Sequence, residues 1–103
     1  MNKDLQIAKK TVETEIKALK KLSASFNSKS QFSKAVSLLC KIKGKCLVVG
    51  VGKSYIVSLK VSATLSSLSV PSVAFSASDL EHGGLGTIQK NQDCLLIFSV
   101  SGE

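Results

Sequence analysis

The 103-residue sequence has no arginine and no tryptophan, and only one histidine, one proline and one tyrosine. Each absence excludes something. Without arginine there is no planar fork to read guanine, and four Phe and one Tyr offer little for base stacking. No specific nucleic-acid partner is therefore expected, although the formal charge is +7. Residues 1–45 hold eleven lysines against Asp4, Glu13 and Glu15, which describes a solvated, lysine-rich helical face. One histidine and three cysteines (Cys40, Cys46 and Cys94) with no C-x-x-C spacing make a poor zinc set. The three cysteines sit inside apolar patterns, where free Cys behaves as a small buried hydrophobe. No metal and no cofactor is expected. No apolar run approaches the roughly 20 residues of a membrane helix. Met1 to Lys10 is mixed and charged, without a signal-peptide core, so a soluble cytoplasmic protein with no membrane partner is expected.

What is present is organised around Cys46-Leu47-Val48-Val49-Gly50-Val51-Gly52-Lys53-Ser54. The apolar run reads as a strand buried on both faces. Two glycines then allow a sharp turn and close approach of a ligand. A helical pattern begins at Ser54, so unpaired amides and the positive end of a helix dipole meet there, beside Lys53. That combination predicts an anion site, with phosphate the expected anion.

Upstream, Leu5, Ala8, Val12, Ile16, Leu19 and Leu22 form one stripe on a helix from Asp4 to about Ser23. It could pack on its own domain or on another subunit. Ser28 or Ser30 is placed to cap a second helix carrying Phe32, Val36, Leu39 and Ile42, with Gly44 at its end. Downstream of the glycine turn, a helix over roughly Ser54 to Leu68 carries Ile56, Leu59, Ala63 and Leu68. Pro71 stops it and opens a strand at Ser72–Phe75. Ser78 is placed to cap a short turn at Asp79–His82. Gly83, Gly84 and Gly86 loosen the backbone, Asn91–Asp93 is turn chemistry, and Cys94–Phe98 is a third strand. Phe26 and Tyr55 read as packing residues. No internal repeat or low-complexity segment is visible.

Strand, helix, strand, short helix, strand at this spacing predicts an α/β fold: part of a doubly wound αβα sandwich with a parallel sheet, preceded by two helices. A last parallel strand with no crossover helix after it predicts the N-terminal part of a larger domain and an exposed apolar sheet edge. The expected organisation is a helical lead-in over 1–43 and a partial ligand-binding domain over 44–103.

Two familiar phosphate motifs do not fit. A P-loop needs a glycine five residues before Gly52, where Leu47 stands. The dinucleotide fingerprint needs a third glycine at Tyr55 and an acid at the end of the second strand, and has neither. In an open parallel sheet, ligands bind beyond the carboxyl ends of the strands. Gly50–Ser54, Ser76–His82 and Ser99–Glu103 all fall there. Ser99, Ser101 and the amides around Gly102 can surround a phosphate without charge, while Lys53, His82 and Glu103 can handle protons beside it.

Taken together, Gly50-Val51-Gly52-Lys53-Ser54, Ala63-Thr64-Leu65, Pro71-Ser72, Glu81-His82-Gly83, Leu85-Gly86 and Ser99-Val100-Ser101-Gly102-Glu103 resemble a sugar isomerase (SIS) domain. Within that superfamily the resemblance is to the arabinose-5-phosphate isomerases. It spans about residues 44–103. It implies interconversion of D-arabinose 5-phosphate and D-ribulose 5-phosphate, the step feeding Kdo synthesis for lipopolysaccharide. It also implies five parallel strands and a homo-oligomer, usually a tetramer. The alternative it leaves open is a non-catalytic sugar-phosphate-binding module. Carried over by position, Lys53, His82 and Glu103 form the catalytic set, with Glu103 a candidate base. Gly50, Gly52, Ser54, Ser99, Ser101 and Gly102 form the substrate-binding set. The sequence departs from the family pattern at Gly84, at Tyr55–Leu59 and at Val100.

Overall fold

The structure, a computed structural model, describes residues 2–102. The chain divides into two compact units, residues 1–34 and 35–103.

The first unit is dominated by α1 (Lys3–Ser25). Asn2 caps it, its Oδ1 accepting from the Leu5 amide at 2.9 Å, and Asp4 sits favourably in the first turn. The predicted stripe is present on α1, and none of its residues is buried. Phe26 ends the helix and packs its ring against Phe32, centroid to centroid 5.0 Å.

The second unit holds a three-stranded parallel sheet in the order β2-β1-β3. β1 (Cys46–Gly50) is central, β2 is Ser72–Ser76 and β3 is Cys94–Ile97. Gly50 pairs with Ser76 and Val49 with Ile97, so all three carboxyl ends emerge at one end of the sheet. β1 is the core: Cys46, Leu47 and Val48 are fully buried and Val49 nearly so, as the unbroken apolar run predicts. α2 (Phe32–Lys41) enters this unit at Ala35, and its Leu38 and Leu39 share a small cleft with Cys94, Leu95 and Leu96. α3 (Lys53–Ser67) is the crossover between β1 and β2 and packs on both. α4 (Ala77–Glu81) and a 3₁₀ turn (Gly84–Thr87) precede β3.

Four local expectations change. The face of α3 on the sheet is not Ile56, Leu59, Ala63 and Leu68, all of which are exposed. It is the serine face, with Ser58 fully and Ser62 almost fully buried. Small side chains let the helix approach the sheet closely, and each hydroxyl is satisfied. Ser58 Oγ donates to the Ser54 carbonyl at 2.8 Å, and Ser62 Oγ accepts from Ser72 Oγ at 3.2 Å. Apolar spacing identifies a stripe but not the surface that covers it. Second, Ser76 rather than Ser78 caps α4, accepting from the Asp79 amide at 3.3 Å. Third, the loosened glycine stretch contains an ordered 3₁₀ turn.

The fourth concerns Gly44, whose place is set by packing rather than by a helix end. Its amide donates to the Gln92 carbonyl at 2.9 Å, and a side chain there would collide with Asp93 Oδ1. Asp93 is the fastener of this end of the sheet. Its carboxylate accepts from the Lys45 amide, Lys45 Nζ and the Gln89 amide, each at 2.8 Å. The Lys45 side-chain bond, then the Lys45 and Gln89 backbone bonds, hold its carboxyl down at about 2.

β3 is apolar on both faces, as expected, but only partly covered: Leu95 is 45% exposed and Ile97 63%. The predicted apolar edge is there.

Candidate functional site

At the carboxyl end of β1 the chain turns through Val51 and Gly52 into α3. Gly52 adopts φ 58° and ψ −124°, a conformation suited to glycine. The Ser54 amide closes on the Val51 carbonyl at 3.0 Å, which tightens the turn. Gly50 lies directly beneath the first turn of α3. A Cβ on it would fall 2.5 Å from the Ser54 carbonyl and 2.7 Å from the Tyr55 nitrogen. This glycine therefore seats the helix N-terminus on the strand tip.

At the carboxyl end of β3, the Phe98 amide bonds the Val49 carbonyl at 2.9 Å, which extends the sheet by one residue. The chain then bends, with the Gly102 amide donating to Ser99 Oγ at 2.8 Å. From the third strand tip comes Ala77.

These tips surround an open cavity of about 430 Å³. Gly50, Ser54, Ser99 and Ser101 line it, together with Val49, Val51, Ala77, Ile97, Phe98 and Val100. Two hydroxyl-bearing segments and the start of α3 thus face one space from neighbouring strands. Such a set can hold an anion through neutral donors and a helix dipole.

The remaining candidates lie elsewhere. Lys53 is exposed as the first residue of α3, and His82 is exposed at the end of α4, its amide bonded to the Ser78 carbonyl at 3.2 Å. Neither is on the cavity wall, nor are Gly52 and Gly102. Glu103 lies outside the described residues. The sequence reading missed the apolar wall. Its signal was the alternation of Val49, Val51 and Ile97 with the strand tips, which carries no chemistry by itself. Val100, between the two serines, is fully exposed. Among the described residues no cluster of three His, Cys, Asp or Glu side chains forms a metal site, and no helix is long and apolar enough to cross a membrane.

No protein-family model matches the chain. It is 39% identical over 95 residues to arabinose 5-phosphate isomerase KdsD of Pseudomonas aeruginosa, covering 92% of this chain and 28% of that protein. It is 36% identical over 95 residues to arabinose 5-phosphate isomerase KpsF of Escherichia coli O6:H1, with the same coverage. Among solved structures, an Escherichia coli CFT073 protein in complex with arabinose 5-phosphate superposes with a TM-score of 0.82 at 30% identity. That match covers 96% of this chain and 52% of the other. The chain thus spans under a third of the length of the curated relatives it matches. Over nearly its whole length it is homologous to the arabinose 5-phosphate isomerases, and it carries part of the sugar isomerase (SIS) fold.

Proposed function

We propose that the chain carries the phosphate-binding end of a sugar-phosphate aldose–ketose isomerase acting on D-arabinose 5-phosphate and D-ribulose 5-phosphate. The observation that carries this reading is the convergence of Gly50, Ser54, Ser99 and Ser101 on one cavity at the strand tips. The names of the relatives and the arabinose 5-phosphate complex of the structural neighbour support it. In this reading residues 44–103 are the ligand-binding segment and residues 1–43 a helical lead-in. The protein works in the cytoplasm and its product feeds Kdo synthesis.

The chemistry requires a proton to leave one carbon and arrive at its neighbour through an enediol. A positioned base is needed, together with a donor for the oxygen that becomes negative. Glu103 is assigned the base, and Lys53 and His82 the polarising and proton-carrying roles. Neutral hydroxyls on the phosphate leave the charged groups for the reacting carbons.

A second reading, a binding module without turnover, is favoured by one fact: Lys53 and His82 stand off the cavity wall. The test is thermal unfolding with D-arabinose 5-phosphate, alongside a ribulose 5-phosphate assay. At a ligand concentration 100 times Kd the stabilisation is about 2.7 kcal/mol. For a chain of this size that raises Tm by at least about 10 °C. The rise is expected to vanish in Ser101→Ala. Turnover supports the isomerase, and stabilisation without turnover supports the module. Neither signal overturns both.

A further inference from the structure

Cys46 and Cys94 are the first residues of β1 and β3 and are paired in register. Partners in register on adjacent parallel strands point to the same face of the sheet, with Cα atoms about 4.8 Å apart. A disulfide spans Cα separations of about 4.4–6.8 Å, so the pair lies within bonding reach. The backbone is held on both sides. The Cys46 amide donates to the Pro71 carbonyl at 2.8 Å, and the Cys94 amide to the Lys45 carbonyl at 3.1 Å.

The two thiols differ in access. Cys46 is fully buried. Cys94 is half-buried and lines two clefts shared with α2. One is apolar, of about 90 Å³; the other is open, of about 240 Å³, and carries Lys41, Asn91 and Gln92. A small polar oxidant can therefore reach Cys94 but not Cys46. Burial first, and then the Cys94 thiol hydrogen-bonded beside it, push the Cys46 thiol up to about 12, which also keeps it from reacting first. No further donor joins the pair. The Asp93 carboxylate next to Cys94 is engaged by the Lys45 amide, Lys45 Nζ and the Gln89 amide. Among the described residues no cluster of three His, Cys, Asp or Glu side chains is present. The pair is a dithiol, not a zinc set.

We propose that Cys94 is a site of oxidation by peroxide and Cys46 its resolving thiol, the product being a disulfide between β1 and β3. In the first step the Cys94 sulfur attacks one peroxide oxygen. The S–O bond forms as the O–O bond breaks, and the departing hydroxide leaves as water with the thiol proton. In the second step the Cys46 sulfur attacks the Cys94 sulfur. The S–S bond forms as the S–O bond breaks, and the hydroxide leaves as water with the Cys46 proton. Two thiols are oxidised and one peroxide is reduced to two waters. This assignment stands whether or not the cavity at the other end of the sheet holds a sugar phosphate.

The test adds hydrogen peroxide to folded Cys40→Ser protein, from which the exposed competing thiol on α2 is gone. The intact mass is expected to fall by two hydrogen atoms and to be restored by dithiothreitol. A non-reducing digest is expected to contain one peptide pair joined through Cys46 and Cys94. With Cys46→Ser added, Cys94 sulfenic acid should persist and be trapped by dimedone. With Cys94→Ser added, Cys46 should stay reduced. The digest of the Cys40→Ser protein decides the matter even if neither of these further variants folds. Any of four results overturns the proposal: an unchanged mass, a joined peptide that forms only in urea, Cys46 oxidised as readily when Cys94 is absent, or Cys94 carried on to sulfinic acid while Cys46 remains a free thiol.

Discussion

Replacing Gly50 by alanine tests how the site is built. Gly50 is buried and has an ordinary backbone conformation, so the cost is steric. Its new Cβ would sit 2.5 Å from both the Ser54 carbonyl carbon and its oxygen, whereas ordinary contact begins near 3.4 Å. The atoms in the way are backbone atoms of the first turn of α3, and no rotamer change relieves them. The turn must retreat by 3.4 minus 2.5, close to 1 Å, or the strand tip must yield. Overpacking of this kind costs about 1–3 kcal/mol. In a chain of this length each kcal/mol lowers Tm by roughly 4–8 °C. Gly50→Ala is therefore expected to melt roughly 5–20 °C below the parent in a calorimetric scan. Because Ser54 rides on the displaced turn, the stabilisation by D-arabinose 5-phosphate should fall as well. Gly86→Ala is the control: it has an ordinary φ, and nothing lies within 4 Å of its Cβ. Its Tm should match or slightly exceed the parent's. A Gly50→Ala protein melting within 2 °C of the parent would refute this account of how α3 is seated.

Three further outcomes follow from the same structure. The Asp93 carboxyl, held down at about 2, is lower than in the unfolded chain, where the ordinary value is 3.8. Its contribution to stability is thus complete above about pH 4 and is lost as pH falls towards 2. Acid titration of Asp93→Asn, followed by circular dichroism, should lack that component and start from a lower stability. Burial, with Cys94 beside it, pushes the Cys46 thiol up to about 12, whereas Cys40 is exposed. Iodoacetamide at pH 8 should label Cys40 in the folded protein and leave Cys46 unmodified until it unfolds. Ser58→Leu forces a large side chain between α3 and the sheet and should cost about 1–3 kcal/mol. Ile56→Ser, at a position 64% exposed, should shift Tm by less than about 2 °C in the same chemical-denaturation or melting series. The reverse order would mean that α3 packs by its apolar stripe after all.

Much of the fold is legible in residue patterns. The unbroken run Cys46–Val49 announces a strand covered on both faces, and it is the buried centre of the sheet. Pro71 marks the start of β2, and the turn residue Asn91 adopts φ 65°, as turn chemistry suggests. Part of the candidate site is legible too, because serines and glycines just past parallel strands have few other reasons to cluster. Less legible are features that depend on which surface meets which. Ser58 and Ser62 look like solvent positions in a list of residue types. They are the contact face because β1 and α3 come too close for leucine. Lys45 and Asp93 are 48 positions apart, and Gly44 makes room for the carboxylate that joins them.

The order of apolar and polar residues along this chain determined its elements, their sequence and the parallel direction of the sheet, because those follow from local periodicity and from the length of the connections. Only the tertiary structure decided which side of α3 is covered, and that Ser54, Ser99 and Ser101 share a cavity from which Lys53 and His82 stand apart. Those outcomes turn on strand register and on the distance at which a helix can rest on a sheet. Both are set by contacts between residues far apart in the chain, and no stretch of neighbouring residues records them.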